Sequence, residues 1–447
     1  MEMLRQEPPV VVACPDARPP AYQAVIGLSR AGLLDRFITA TYYNRDGRLA
    51  TWARRSAPVR LGRLERFLLR RHDPEIPAER VRANPGFDLA LRLEDRLAVG
   101  QPRLRRALAQ WRTERFDSQV ARAVERDRVG LLLLFSDVGS ARTLPICRRL
   151  GIPTILSMVH GDVREERQVL ERETEASPDF LPIYLGNGRL DREELDWLHA
   201  RRLRDLALAD RVVVPSEHIA ATIVDHGTPR ERVRVIPYAA DCRRFRPLPG
   251  KRHGAGCTFL FAGGIQQRKG IKYLLEAWRA IRRPGWRLQL LGPLPKDLGP
   301  LRPYRETVEL LGPVAHGEMP ARMAQADVFV FPSLFEGSAV VTYEAIACGL
   351  PAVVTPDAGS VIRDGIEGYL VPARDIGALA ARMERLGDDP ALRERMSAAA
   401  RLRALAFDWP RYHSALAGLV EGLDGSEPAR SMESPHRRAY ATAESGG

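Results

Sequence analysis

The sequence predicts an α/β protein built as two doubly wound domains that face each other across a cleft. Three observations carry this expectation. Short runs of Val, Ile and Leu alternate with helical periodicity along most of the chain. The runs are continuously apolar, as in parallel strands covered on both faces, rather than alternating as in a half-exposed sheet. The series stops at "PLPGKRHGAG" (247–256), a stretch dense in Pro and Gly, and then restarts.

In chain order, "PVVVAC" (9–14), "RFITATYY" (36–43), "GLLLLFS" (130–136), "PTILSMV" (153–159), "RVVVPS" (211–216) and "RVRVIPY" (232–238) read as strands. Helical segments fall at 20–32, 140–150, 190–209 and 216–226. The second series comprises "CTFLFAGG" (257–264), "WRLQLLG" (286–292), "VELLG" (308–312), "DVFVFPS" (327–333), "PAVVT" (351–355) and "GYLVP" (368–372). Between its first two strands, Ile271, Leu274, Leu275, Trp278 and Ile281 keep the rhythm of one helix face. The expected domains are 1–246 and 247–405, followed by a last helix at 406–423 and a disordered tail at 424–447 that lacks apolar rhythm.

Composition narrows the function classes. With 45% hydrophobic and 28% charged residues over 447 positions, the chain reads as an ordinary soluble globular protein. Its longest apolar runs, such as "VGLLLLF" (129–135), are far short of a bilayer span, and the N-terminus has no signal-peptide core. The expected location is cytoplasmic. Five scattered cysteines without a C-x-x-C pair give neither a disulfide framework nor a zinc site. A net charge of +12 raises the question of nucleic acid. However, 64 of the 68 basic residues are arginine, a bias of composition rather than of one surface, and no aromatic-interleaved patch accompanies it. No nucleic-acid partner is expected. Two of the four lysines are Lys269 and Lys272, positions that favour a compact ammonium.

Glycine-rich fingerprints are missing. No G-x-G-x-x-G and no G-x-x-x-x-G-K-[ST] occurs, which weakens the dehydrogenase and P-loop readings. No Asp-x-Asp pair suggests a dedicated divalent-metal site, and no cofactor is expected.

Two constellations remain. In "FAGGIQQRKGIKYLL" (261–275) a strand ends, Gly263 and Gly264 let backbone approach a ligand, and Arg268 and Lys269 precede a helix starting near Gly270. Cations beside backbone amides suit a diphosphate, although a plain strand–loop–helix turn has the same pattern. In "FPSLFEGSAVVTYEAIACGLP" (331–351) a strand is followed by a loop holding Glu336, then by a helix from about Ser338 to Cys348 containing Glu344. The amides of Gly337, Ser338, Ala339, Val340 and Val341 lie at its start, where an anion binds well. Eight helical residues rise about 12 Å. Retaining glycosidases hold their carboxyls within about 5.5 Å, so a direct two-carboxylate hydrolase is disfavoured.

The order Gly-Gly, Arg-Lys, P-S-x-x-E-G, a second Glu at +8 and then "CGLPAVVT" resembles the C-terminal domain of retaining glycosyltransferases of the GT-B fold, family 4, whose hallmark is E-x7-E. The similarity extends through 205–405. It implies a nucleotide-diphosphate sugar as donor and a glycan, lipid or small-molecule hydroxyl as acceptor, with no metal. It further implies that Arg268 and Lys269, with the amides of Gly263, Gly264 and 338–341, hold the donor diphosphate. Glu344 would take the ribose, Glu336 would face the transferred sugar, and His160 would reach it from across the cleft. The last helix would return to the N-terminal domain.

The first loop, "CPDARPPAYQ", departs from the family's glycine-rich pattern and leaves Arg18 and Tyr22 as weak candidates. The rivals are a nucleotide-sugar epimerase or hydrolase and a non-catalytic nucleotide-sugar-binding subunit. Finally, "RRSAPVRLGRLERFLLRR" (54–71) reads either as a basic amphipathic helix that docks on an anionic membrane surface or as a solvated helix packed on its own domain.

Overall fold

A computed structural model describes residues 10–16, 19–45, 47, 71–84, 101–136, 138–185, 191–250, 256–315 and 317–423. The segment 54–71, apart from Arg71, and the tail 424–447 lie outside the described residues, as does Arg18.

The first sheet has seven parallel strands: β1 (Val10–Ala13), β2 (Leu34–Thr39), β3 (Val81–Ala83), β4 (Leu131–Phe135), β5 (Thr154–Ser157), β6 (Arg211–Val214) and β7 (Val233–Val235). They lie in the order β3-β2-β1-β4-β5-β6-β7. The second sheet comprises β8 (Cys257–Ala262), β9 (Trp286–Leu291), β10 (Glu309–Gly312), β11 (Val328–Phe331), β12 (Ala352–Val354) and β13 (Gly368–Leu370). Its order, β10-β9-β8-β11-β12-β13, repeats the reversal of the first. Both sheets are therefore doubly wound. Each leaves a crevice at its strand C-termini where the order reverses, at β1/β4 and at β8/β11. The central strands β4 and β8 are buried along their whole length, as their continuous apolar runs require.

In the first half, four elements differ from the sequence expectation. The second strand ends at Thr39, not Tyr43, and β3 is a short, partly exposed edge strand that the pattern does not reveal. Helices Pro102–Arg126 and Val163–Ala176 are also absent from the sequence reading, because both are rich in charge. The second buries Glu166 and Glu173 beside Val163, Val169 and Leu170, so two of its five buried positions carry no hydrophobic signal.

The chain crosses between halves at the Ala240–Asp408 bridge. Helix Trp409–Glu421 then lies on helix Pro19–Arg30 of the first half. There His413 Nε2 meets Gln23 Oε1 at 2.8 Å, and a Cβ at Gly27 would come within 2.8 Å of the His413 ring. No helix among the described residues is long and apolar enough to cross a membrane.

Candidate active site

The site begins with aromatic packing in the second sheet. Phe261 on β8 stacks on Phe331 of β11, with centroids 5.4 Å apart and planes 14° from parallel. Over that stack the chain leaves β8 through Gly263 (φ 144) and Gly264 into a 3-10 turn, Gln267–Lys269, closed by Gly270 (φ 73). Gly270 has to be glycine, because a Cβ there would overlap the Pro332 carbonyl of the neighbouring loop. The turn thus delivers Lys269 Nζ 5.0 Å above the Phe331 ring and 3.8 Å from where a Gly263 Cβ would stand.

Lys269 Nζ then donates to Glu336 Oε1 at 2.6 Å. Burial alone would raise the Glu336 carboxyl, but the charges of Lys269 and Arg268 outweigh it and hold the group below the usual carboxylate range. Arg268 is less engaged. Its Nη1 stands 3.7 Å from Glu166 Oε1, and its Nε is buried without an acceptor among the described residues. A buried guanidinium N–H with no protein partner is costly, and a water or a ligand oxygen would satisfy it.

The loop after Phe331 turns into helix Val340–Ala347, two residues later than the sequence suggests. This corrects one expectation. The amide of Ala339 already donates to the Ala358 carbonyl at 3.0 Å and has no proton to offer an anion. Those of Gly337, Ser338, Val340 and Val341 have no backbone acceptor among the described residues. Ser338 Oγ donates to the Gly359 carbonyl at 2.6 Å, which fixes the loop against the helix start. The helix ends as expected at Gly349 (φ 73), with the Gly349 and Leu350 amides returning to Ile346 and Ala345.

Glu344 lies in the second turn of that helix, and its carboxyl has no hydrogen-bond partner among the described residues. Burial pushes its pKa up to about 7, with only Arg244 opposing. The two glutamates of the E-x7-E spacing therefore differ in charge state. Glu336 is a carboxylate clamped to a lysine, whereas Glu344 is close to half-protonated at neutral pH.

The first half meets this loop at the end of β5. A Cβ on Gly337 would overlap the Val159 carbonyl and stand 2.9 Å from the His160 amide nitrogen. Ser216, at the end of β6, donates its hydroxyl to the Gly337 carbonyl at 3.2 Å. His160 is buried, and its Nδ1 lies 2.7 Å from the Gly161 carbonyl; only the imidazole can donate in that pair. His160 thus lies beside the loop that carries Glu336. Tyr22 is buried at the C-terminal end of the first sheet, and its hydroxyl has no hydrogen-bond partner among the described residues.

Lys272 has another task. Its Nζ bonds the Ala176 carbonyl and Asp179 Oδ1, both at 3.1 Å, capping the C-terminus of helix Val163–Ala176. Sequence reasoning missed Ser216, Glu166 and Glu173. Ser216 was visible only as a helix cap after a strand, and the two glutamates looked like solvated charges. No cluster of His, Cys, Asp and Glu suited to a metal occurs among the described residues.

Two family models match the chain: Glycosyltransferase Family 4 over residues 59–244 and Glycosyl transferases group 1 over 256–389. A D-inositol 3-phosphate glycosyltransferase of Pseudarthrobacter chlorophenolicus is 34% identical over 237 residues, 46% of this chain and 56% of that protein. The putative colanic acid biosynthesis glycosyltransferase WcaL of Escherichia coli is 30% identical over 189 residues, 39% of this chain and 47% of that one. The chain thus spans about half the length of the curated relatives it matches. Among solved structures, sucrose-phosphate synthase from Thermosynechococcus elongatus superposes with a TM-score of 0.64 at 18% identity, covering 93% of this chain and 99% of that one. HepE of Anabaena, solved with UDP and glucose, gives 0.58 at 15% identity and covers 93% and 100%. The chain therefore has the GT-B fold of these structures, and its two halves match, in adjoining segments, the Glycosyltransferase Family 4 and the Glycosyl transferases group 1 models.

Proposed function

We propose that this protein transfers a sugar from a nucleoside-diphosphate sugar to an acceptor hydroxyl, with retention at the anomeric carbon and without a metal ion. The observation that carries the reading is the convergence at one sheet edge of Arg268, Lys269, the glycine pair 263–264 and the open helix start at Val340–Val341, all beside Glu336. The Anabaena neighbour bound to UDP and glucose and the glycosyltransferase relatives agree with a donor of this class.

The chemistry follows from charge. As the bond from the anomeric carbon to the diphosphate lengthens, negative charge gathers on the leaving phosphate oxygens and positive charge on the sugar ring. Lys269, the unpartnered Arg268 Nε–H and the helix amides are fixed donors for the first, and they need no reorganisation as it develops. Glu336, kept ionised by Lys269, faces the second. Glu344 receives the ribose hydroxyls one helical turn deeper. His160, whose backbone is against Gly337, closes the sugar side from the first half. The acceptor hydroxyl attacks on the face the diphosphate leaves, and its proton passes to the departing phosphate oxygen.

Thermal-shift screening against UDP, GDP, ADP and CMP tests the donor class. Stabilisation by a nucleoside diphosphate supports the proposal, and no response to any of them counts against it. Turnover undiminished in EDTA, and a product with the donor's anomeric configuration by NMR, test the two finer points.

A further inference from the structure

Helix Val163–Ala176 belongs to the first half of the molecule, capped by Asp162 directly after the His160–Gly161 turn. Its inward face carries two fully enclosed carboxylates seven residues apart, Glu166 and Glu173. Seven residues are two turns, so both lie along one face, about 10 Å apart in rise. Both face the other half, and the partners of Glu173 lie there. Glu173 accepts from Gln267 Nε2 at 2.5 Å, Tyr273 OH at 2.8 Å and Arg374 Nε at 2.9 Å. Arg374 is the described non-glycine residue with a left-handed backbone (φ 69), a conformation that persists only where its surroundings fix it. Glu166 is held on its own side by His199 Nε2 at 3.1 Å and Arg202 Nη1 at 3.3 Å, and it faces Arg268 Nη1 at 3.7 Å.

Gln267 and Arg268 are consecutive residues of the turn that ends in Lys269. The helix therefore grips that turn twice, once by its amide side chain and once by its guanidinium. At 3.7 Å, Glu166 lies beyond hydrogen-bond reach of Arg268. It aligns the guanidinium by charge while leaving Nε–H without an acceptor. If holding the halves together were the only need, an apolar pair would serve as well as two buried carboxylates.

We infer that Glu166 and Glu173 are positioning residues that aim Arg268 at the donor diphosphate from the opposite half of the molecule. This rests on the reading of Arg268 as a diphosphate ligand. It assigns the helix a role in transfer beyond packing, and makes the aim of Arg268 depend on how the two halves sit.

A double-mutant cycle tests this, with UDP and GDP as probes and calorimetry as the readout. E166Q is expected to weaken the bound nucleotide at least 10-fold in the wild-type background and less than 2-fold in R268A, because Glu166 acts through Arg268. E173Q is expected to follow the same pattern. E166D keeps the charge and is expected to lose at most about 3-fold; if E166Q does not fold, E166D is measured in both backgrounds and its loss should vanish in R268A. An equal loss in the two backgrounds, or no loss in the wild type, overturns the inference and leaves the proposed function standing. If the wild type binds neither, the cycle is run with ADP or CMP, whichever the thermal-shift screen finds, and failure to bind any of the four removes the proposed function and the inference with it.

Discussion

Lys269 Nζ and Glu336 Oε1 lie 2.6 Å apart, joining the turn after β8 to the loop after β11. The cation expected on the phosphates and the acid expected on the sugar are thus one bonded unit, and a change to either is felt by the other.

Replacing Lys269 by Ala should weaken nucleoside-diphosphate binding by about 1.5–3 kcal/mol, the scale of a hydrogen bond to a charged group. Titration calorimetry measures it. Unchanged affinity would take Lys269 out of the site.

Glu344 should make stability depend on pH in a defined direction. Its folded pKa, about 7, lies above the ordinary 4.5, so the folded state resists ionisation. The stability it contributes is fully present below about pH 4.5 and is lost as pH rises through 7. Glu344→Gln should therefore raise Tm relative to wild type at pH 8 and leave it unchanged at pH 4. The same variant should weaken UDP and a UDP-sugar alike, because both carry the ribose; a loss confined to one would contradict that role.

Gly337→Ala should separate binding from transfer. Its new methyl would overlap the Val159 carbonyl and displace the loop that carries Glu336, while the contacts of Glu173 with Gln267 and Arg374 keep the halves docked and the turn at 267–269 in place. Nucleoside-diphosphate affinity is expected to fall less than about 5-fold and kcat more than about 10-fold, the order of loss a small misplacement of reacting groups brings. Equal losses in both would mean that the loop serves the donor alone.

His413 should destabilise the protein in mild acid. Burial, helped by Arg30, lowers its pKa to about 4 from 6.5. Its contribution is intact above pH 6.5 and is lost as pH falls toward 4, because the unfolded chain takes up the proton first. His413→Asn should flatten the Tm profile between those values.

The second half was the more legible of the two. All six of its strands read as apolar runs, because β8, β11 and β12 are buried throughout and β9, β10 and β13 are at least half-buried apart from Arg287, and Gly270 and Gly349 mark the helix boundaries they were read as marking. The first half was less clear where its buried groups are polar. Helix Val163–Ala176 turns Glu166 and Glu173 inward, and periodicity reads an inward glutamate as an outward one. The edge strand Val81–Ala83 is partly exposed and three residues long, too little for a pattern. The start of helix Val340–Ala347 was placed early because nothing local reveals that Ala339 bonds the Ala358 carbonyl, nineteen residues away.

Three residues at the meeting of the halves have no side chain. Gly337 presses on the Val159 main chain, Gly359 on the Gly337 carbonyl, and Gly161 leaves 2.7 Å between its missing Cβ and the Phe335 ring. Of these, the Gly337–Val159 contact sets backbone against backbone between the halves, backed by Gly359 on its own side, and it has no rotamer to yield: at that point the halves can come this near and no nearer. The stand-off between Glu336 and the opposite domain is then set by the main chain, and the side chains around the cleft are free to vary with the acceptor without disturbing it.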